Sequence, residues 1–468
     1  MTRSIRWVLL TGLVATAACP PAWGQLPRRD ERQRLNALAN PFVRDGWVQS
    51  MVIGVVDRTG PRVYAYGRLA PGPGSTAPDG DTVYEIASIT KPFTALLLAE
   101  MAERKEVALD DPVAKFLPPD VRTPATDRPI TLLSLATHHS GLPRMPWNFR
   151  PKDPDNPYVD YSADDLLRFL PRAGVHPTGR FEYSNVGYGL LGHALSRRGG
   201  KPYEALVVER IAGPLGMADT RVALSPAMRS RLAPPFDADG EPDRNWDFDG
   251  IPGGGALRST ANDMLRFLAA QLDLPAGKGE ARPATPDTLR RAIAASHEPR
   301  DTAQGEVQIC LGWHLTKDGR HWHNGQTGGY HSFAAFDRRG GAGVLVLTNT
   351  ATGHVDALGG RAMRVALGKE AAAVELPVPV TVAEGVLERY AGAYRLPDGS
   401  RLLVRRDGGR LVTSARGQAP VRLYPKGEAE FFAKATDSTG TFVRDASGRV
   451  TELVIRQDGK ETRAPRAD

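Results

Sequence analysis

Cysteine is almost absent from this chain of 468 residues; Cys19 and Cys310 are the only two. A disulfide framework is thereby excluded. No stretch of about 18 consecutive apolar residues occurs, so no membrane-spanning helix is expected. No Gly-x-Ser-x-Gly pentapeptide occurs either, which argues against the nucleophile elbow of an α/β-hydrolase. Runs of Lys and Arg with interleaved aromatics are missing. The formal net charge of +7 falls to +5 once Arg3 and Arg6 are set aside as part of a leader. Such a mild excess does not call for nucleic acid as a partner. Long internal repeats and low-complexity tracts are also lacking. What remains, 41% hydrophobic and 24% charged, is the composition of a globular protein able to bury a sizeable core.

The first 24 residues read as a signal peptide. Arg3 and Arg6 form a basic start, "WVLLTGLVATAA" is too short to span a bilayer, and Ala22-Trp23-Gly24 precedes a cleavage point before Gln25. Periplasmic or secreted localisation follows as an expectation. The rival reading is a lipid anchor at Cys19 in "TAAC", where Thr16 stands in place of the usual apolar residue. Either way Cys310 has no internal partner in the exported chain.

Three further units are expected: a catalytic domain over 25–368, a Pro- and Val-rich linker over 369–383, and a small all-β domain over 384–468. Met51–Gly67 and Tyr330–Thr350 each read as a hairpin, two alternating apolar runs around a turn. Between them the spacing is mostly helical. The fold class expected is therefore α+β, an antiparallel sheet flanked by helices with an inserted helical lobe. The tail shows short strands separated by Asp-Gly and Ser-Gly turns, and is expected to fold separately, so that a chain ending near Lys369 would keep its catalytic domain.

The chemistry begins at "YEIASITKPFTALLLAEM". Ser88 and Lys91 lie three residues apart at the mouth of an apolar helix, hence on one face. A serine hydroxyl needs a base to become a nucleophile. Lys91 can be that base only when neutral, and burial against the apolar helix would lower its pKa. Free N–H groups at the helix start would stabilise an oxyanion nearby. Alone, Ser-x-x-Lys is also what a capped helix with a solvated lysine looks like. Two other stretches accompany it. Tyr183-Ser184-Asn185 precedes a helical run, offering a phenol for proton relay and an amide for a substrate carbonyl. His323-Asn324-Gly325 sits on a strand, where Gly325 would let a substrate backbone lie against the edge.

In this order the three stretches resemble the serine penicillin-recognising family: class C β-lactamases, D-alanyl-D-alanine carboxypeptidases and endopeptidases, and related esterases. "PITLLSLATHHSGLP", "PLGMADT", "GGGALRSTANDMLRF" and "CLGW" add to the likeness, which covers roughly residues 40 to 367. "YAGAYRLPDG" is similar to the lipocalin-like β-domain appended to some members. The resemblance implies an antiparallel β-lactamase/transpeptidase-like fold and an acyl-serine mechanism. Ser88 would be acylated, Lys91 and Tyr183 would share base and acid work, and Asn185 would orient substrate. The N–H groups of Ser88 and Gln326 would form the oxyanion hole. His323, Asn324 and Gly325 would make the substrate-binding triplet. The family's triplet usually opens with lysine; His323 would grip a carboxylate mainly below neutral pH.

Substrates implied are cell-wall peptides, β-lactams or small esters, without a cofactor. An esterase or D-amino-acid amidase, and a non-catalytic penicillin-binding or sensor protein, are the alternatives. His138 and His139 are read as structural, and His193 as a packed or surface helix residue. His321, His323 and His331 lack companion carboxylates or cysteines and are not read as a metal site. The loop Arg144–Tyr161 would wall the pocket through Trp147, Phe149 or Tyr158.

Overall fold

A computed structural model describes residues 28–274, 285–304, 307–397, 399–415, 420–457 and 460–467. The leader and Cys19 lie outside these residues. Both expected hairpins form. Ser50–Asp57 pairs with Gly60–Gly67, and His331–Asp337 with Ala342–Thr348. The two hairpins also join, because Ser50–Asp57 runs antiparallel to Ala342–Thr348 with Met51 opposite Thr348. Distant ends of the catalytic region thus meet in the middle of one eight-stranded sheet. Arg320–Gln326 continues it on the far side of His331–Asp337. The helical lobe is the chain between the hairpins.

Each face of the sheet is covered. Helices Arg28–Arg44 and Val355–Ala366 pack on one face, against Met51, Ile53, Val55, Val344 and Val346. The other face meets the helices Thr90–Glu103 and Ala261–Gln271. Thr90–Glu103 is buried at every position from Thr90 to Met101. An apolar circumference of this kind forces a helix into the interior, and it carries Lys91 inward with it.

After the catalytic region, residues 369–383 form no regular element, yet they are tied down. Val374 and Leu376 pack on the same apolar layer as the first helix, and Val380 N–H donates to Pro425 O at 2.9 Å. A helix, Glu384–Tyr390, then leads into eight strands from Gly392–Arg395 to Lys460–Pro465, each paired antiparallel with the next. A bridge from Tyr394 to Arg466 brings the first strand to the last, which nearly closes a barrel.

This barrel does not stand apart from the catalytic region. Phe432 is fully buried and stacks on Trp47, with ring centroids 5.9 Å apart. Ala433 O is 3.0 Å from His354 Nε2, Lys434 O accepts from Thr352 Oγ1 at 2.7 Å, and Ala435 O accepts from Gly353 N–H at 3.1 Å. The tail is a β-barrel domain as expected, and it shares contacts with the catalytic region: a chain ending near Lys369 would bare Trp47 and leave these donors to water. Phe432→Ala should cost about 3–5 kcal/mol of stability, as deletion of a buried aromatic does. Urea unfolding of the full-length chain, followed by tryptophan fluorescence, checks this; a loss below about 1 kcal/mol would mean the two units do not share a core.

Candidate active site

Ser88 stands in a 3-10 turn, Ala87–Ile89, that runs directly into the helix Thr90–Glu103. Ala87 is held at φ +48°, a left-handed conformation that costs a β-carbon-bearing residue energy. Lys91, one turn on, is completely buried. Its Nζ lies 2.9 Å from Ser88 Oγ, 3.0 Å from Asn185 Oδ1 and 2.7 Å from Gly254 O. No carboxylate is among these partners. Burial pushes the Lys91 pKa well below its ordinary value, and the positive charge of Arg144 pushes it the same way. A neutral amine has two N–H donors and one lone pair. Asn185 Oδ1 and Gly254 O take the donors, so the lone pair faces the Ser88 hydroxyl, the arrangement a general base requires.

Tyr183 stands beside the same serine, close enough for Ser88 to act on its phenol. Burial raises the phenol's pKa, against smaller opposing effects of Ser88 and Arg144. It therefore holds its proton where Lys91 has lost its own. Tyr183 is gripped from several sides. The His138 ring stacks on it at 4.4 Å, Lys91 Nζ lies 4.8 Å from its centroid, and the Arg144 guanidinium 5.1 Å. His138 Nδ1 also accepts from Ser184 N–H at 3.0 Å, and its own backbone sits at φ +63°. Burial drives its pKa well below normal, so the ring stays neutral and can accept. His138 is structural, as expected, but what it structures is the Tyr183 segment. Ser184 caps the helix Asn185–Gly199, and Asn185 is thereby aimed at Lys91. Its Nδ2 donates to the weak acceptor Met145 Sδ at 3.7 Å, and Asn185 also acts on the Tyr158 hydroxyl.

The strand Arg320–Gln326 brings the third stretch alongside. Alternation sends His321, His323 and Gly325 to one face and Asn324 and Gln326 side chains to the other. Gly325 is needed for a reason other than the one expected. A β-carbon there would come 2.4 Å from Ile86 O and 2.7 Å from Ser88 N. The space is taken by the serine turn itself, not by a substrate backbone. Gly325→Ala should push the strand off that turn and slow acylation about 100-fold, since small misplacements at this distance are costly. Stopped-flow labelling with a fluorescent penicillin measures it, and an unchanged rate would show that the contact does not set the site.

Two expectations on this strand are corrected. Asn324 does not face the serine; its Nδ2 donates to Asp356 Oδ2 at 2.5 Å on the opposite face of the sheet. There it belongs to a chain of polar contacts. Asp356 Oδ1 is 2.7 Å from His331 Nε2, His331 Nδ1 is 2.8 Å from Gln326 Oε1, and Gln326 Nε2 donates to Ala435 O of the barrel at 3.1 Å. The Gln326 side chain is thus structural, while the residue still lines the pocket at Ser88. His331 points away from His321 and His323. Among the described residues no cluster of His, Cys, Asp or Glu is arranged to hold a metal.

His323 is the second correction. It is buried, with Nδ1–H donating to Asn324 O at 2.6 Å. Burial, reinforced by His314 and Lys91, holds its pKa well below the usual histidine value. It is neutral throughout the neutral range and does not become a carboxylate grip between pH 8 and 6. Acylation rates of a penicillin and a neutral ester should therefore run parallel across that range. A relative gain for the penicillin as pH falls, abolished by His323→Gln, would contradict this.

Two cavities flank the reacting groups. One, of about 20 Å³, is lined by Ser88, Tyr158, Asn185, Trp246, Phe248 and Gln326 among others. Tyr158 stacks on Phe248 at 4.2 Å, while Trp147 turns outward, 49% exposed. Phe149 supports Tyr158 from behind at 5.0 Å. The segment carrying Trp246 and Phe248 is anchored by Glu85, which accepts from Trp246 N–H at 2.9 Å, and by Arg258, which donates to Trp246 O at 2.6 Å. The second cavity, of about 620 Å³, opens beside Tyr183. Trp246 and Phe248 are not found from the sequence, and the stretches holding Gly254 and Arg144 are singled out there without a role for either residue, because each reaches the site from a remote loop.

Comparison with known proteins matches this geometry. Residues 35–368 match the family model described as Beta-lactamase, and 376–465 a domain of unknown function (DUF3471). The chain is 35% identical over 225 residues to the D-alanyl-D-alanine-carboxypeptidase/endopeptidase AmpH of Escherichia coli, covering 47% of this chain and 57% of that one. It thus spans little more than half the length of that relative. It is 27% identical to penicillin-binding protein 4* of Bacillus subtilis, over 82% of this chain and 88% of the other, and 30% identical to esterase EstB of Burkholderia gladioli, over 58% and 78%. A β-lactamase/D-alanine carboxypeptidase from Yersinia pestis, solved with citrate, superposes with a TM-score of 0.61 at 25% identity, over 72% of this chain and 98% of that one. A family match across 35–368 and a β-lactamase/transpeptidase-like fold place this chain in the Beta-lactamase family.

Proposed function

We propose that the protein is a serine hydrolase working through an acyl-serine intermediate. The observation that carries this is the buried lysine, without a carboxylate partner, whose Nζ lies 2.9 Å from Ser88 Oγ. Lys91 takes the hydroxyl proton as Ser88 Oγ bonds to the substrate carbonyl carbon. The N–H groups of Ser88 and Gln326 hold the resulting oxyanion. Tyr183, still protonated, delivers a proton to the departing amine or alkoxide. Water then attacks the ester, the same groups acting in reverse. Asn185 Nδ2, held in this structure by the weak acceptor Met145 Sδ, would bind the substrate's amide carbonyl.

The substrate class favoured is a peptide ending in D-alanyl-D-alanine, cleaved in the carboxypeptidase or endopeptidase manner. The narrow cavity at Ser88 supports a small acyl side chain such as a methyl group, and the activity named for the AmpH relative points the same way. The neutral His323 favours a second reading, hydrolysis of small esters, which need no cation, as the EstB relative's name suggests. The intact Ser88–Lys91–Tyr183 set weighs against a purely binding role. With the leader over residues 1–24 removed, the enzyme would act outside the cytoplasm, on the cell wall. Incubation with a diacylated tripeptide ending in D-alanyl-D-alanine, with release of D-alanine as the readout, tests the first reading. Ester turnover without D-alanine release would transfer the proposal to the second.

A further inference from the structure

The cavity of about 620 Å³ beside Tyr183 has no role in the steps above, yet its position assigns one. A general acid must reach the atom it protonates. The leaving group therefore lies on the Tyr183 side of Ser88, and this cavity is the space on that side. Its lining is mostly cationic, with Asp301 Oδ2 nearby at 3.4 Å from the lining His139 Nε2. Arg144, Arg180 and Lys460 line it, with Glu182 as the only carboxylate among the lining residues. Glu182 Oε1 lies 3.6 Å from His176 Nε2. None of the three cations has a carboxylate partner among the described residues. Lys460 comes from the last strand of the barrel, Lys460–Pro465, whereas the other two belong to the catalytic region. Meanwhile the motif position that would normally carry a lysine holds the buried, neutral His323.

We propose that this cavity is the leaving-group subsite, and that Arg144, Arg180 and Lys460 give it a preference for leaving groups bearing a carboxylate. The barrel then has a place in substrate selection: it supplies one of the three cations. The proposal rests on the acyl-serine reading and adds which part of the substrate is read, and by which side chains.

The test uses two thioesters with one N-acyl-D-alanyl group, differing only in the thiol that departs: mercaptoacetate, an anion, or mercaptoacetamide, its neutral counterpart. The full-length protein should show a higher kcat/KM for the anion. Exposed charges at such distances change a rate by about fivefold or less each. Arg180→Gln and Lys460→Gln should each lower the ratio of the two kcat/KM values by that order, and Arg180→Glu with Lys460→Glu by about tenfold or more. Raising the salt from about 0.02 M to 1 M should compress the ratio, because the screening length shrinks from tens of Å to about 3 Å. A ratio near one in the parent protein, or one unmoved by both the double reversal and salt, would overturn the proposal while leaving acyl-serine chemistry intact. Failure of both thioesters to acylate Ser88 would overturn the enzymatic reading and this proposal with it.

Discussion

Ser88→Ala should abolish covalent labelling by penicillins and fluorophosphonates and reduce hydrolysis by a factor on the order of 10⁶, the scale seen when an acyl-enzyme nucleophile is removed. The protein should stay folded. Ser88 is one oxygen in a turn whose other contacts are backbone, and alanine occupies its place without added volume. Ile89 N–H still reaches Ile86 O, and Leu257 N–H still reaches Thr90 Oγ1. Thermal unfolding beside the labelling assay separates lost chemistry from lost structure. Residual labelling at a tenth of the parent rate would place the nucleophile elsewhere.

The second large effect is expected at Lys91. Lys91→Arg should lower acylation about 10⁴-fold, the upper range for a general base, because a guanidinium cannot surrender its proton at working pH. The larger side chain must also fit a fully buried site, so Lys91→Met serves as the companion: similar in length, uncharged and without a usable lone pair. Both should be inactive. Near-parental activity in either would exclude Lys91 as the base. The pH profile adds a sign. The neutral amine is the active form and its pKa is depressed, so acylation falls as pH drops through that depressed value, well below the ordinary lysine range. Tyr183, pushed up, loses its proton only on the alkaline side of the usual tyrosine range. Arg144→Ala removes the positive charge that, after burial, depresses Lys91, and should move the acid limb to higher pH. A shift in the opposite direction would contradict the arrangement.

Parts of this site are legible in the sequence because they are local. Ser88 and Lys91 meet through helical spacing, and the apolar run after them explains why the lysine is buried. The two hairpins follow from alternation around their turns, although only the fold reveals that Ser50–Asp57 and Ala342–Thr348 are neighbours. Strand alternation separates Asn324 from His323 and Gly325, so a triplet read as one unit faces two ways. Residue type says that His323 can titrate near neutrality, but its surroundings decide that it does not. Those surroundings, His314, Tyr183 and Lys91, are assembled from remote segments. The same holds for Gly254, whose carbonyl holds Lys91 across 163 positions of chain. The tail's strands are visible from their turns. Phe432 inserting beside Trp47 is not, since a buried aromatic in a short strand reads alike whether it faces its own barrel or another domain.

An acylating reagent should attach to Ser88 alone. The full-length protein is incubated with a fluorescent penicillin, quenched and digested, and the labelled peptide is sequenced by mass spectrometry. The prediction is a single adduct on Ser88, absent from Ser88→Ala and from Lys91→Arg. An adduct on Ser259 or Ser332, or labelling that persists unchanged in Lys91→Arg, would contradict it.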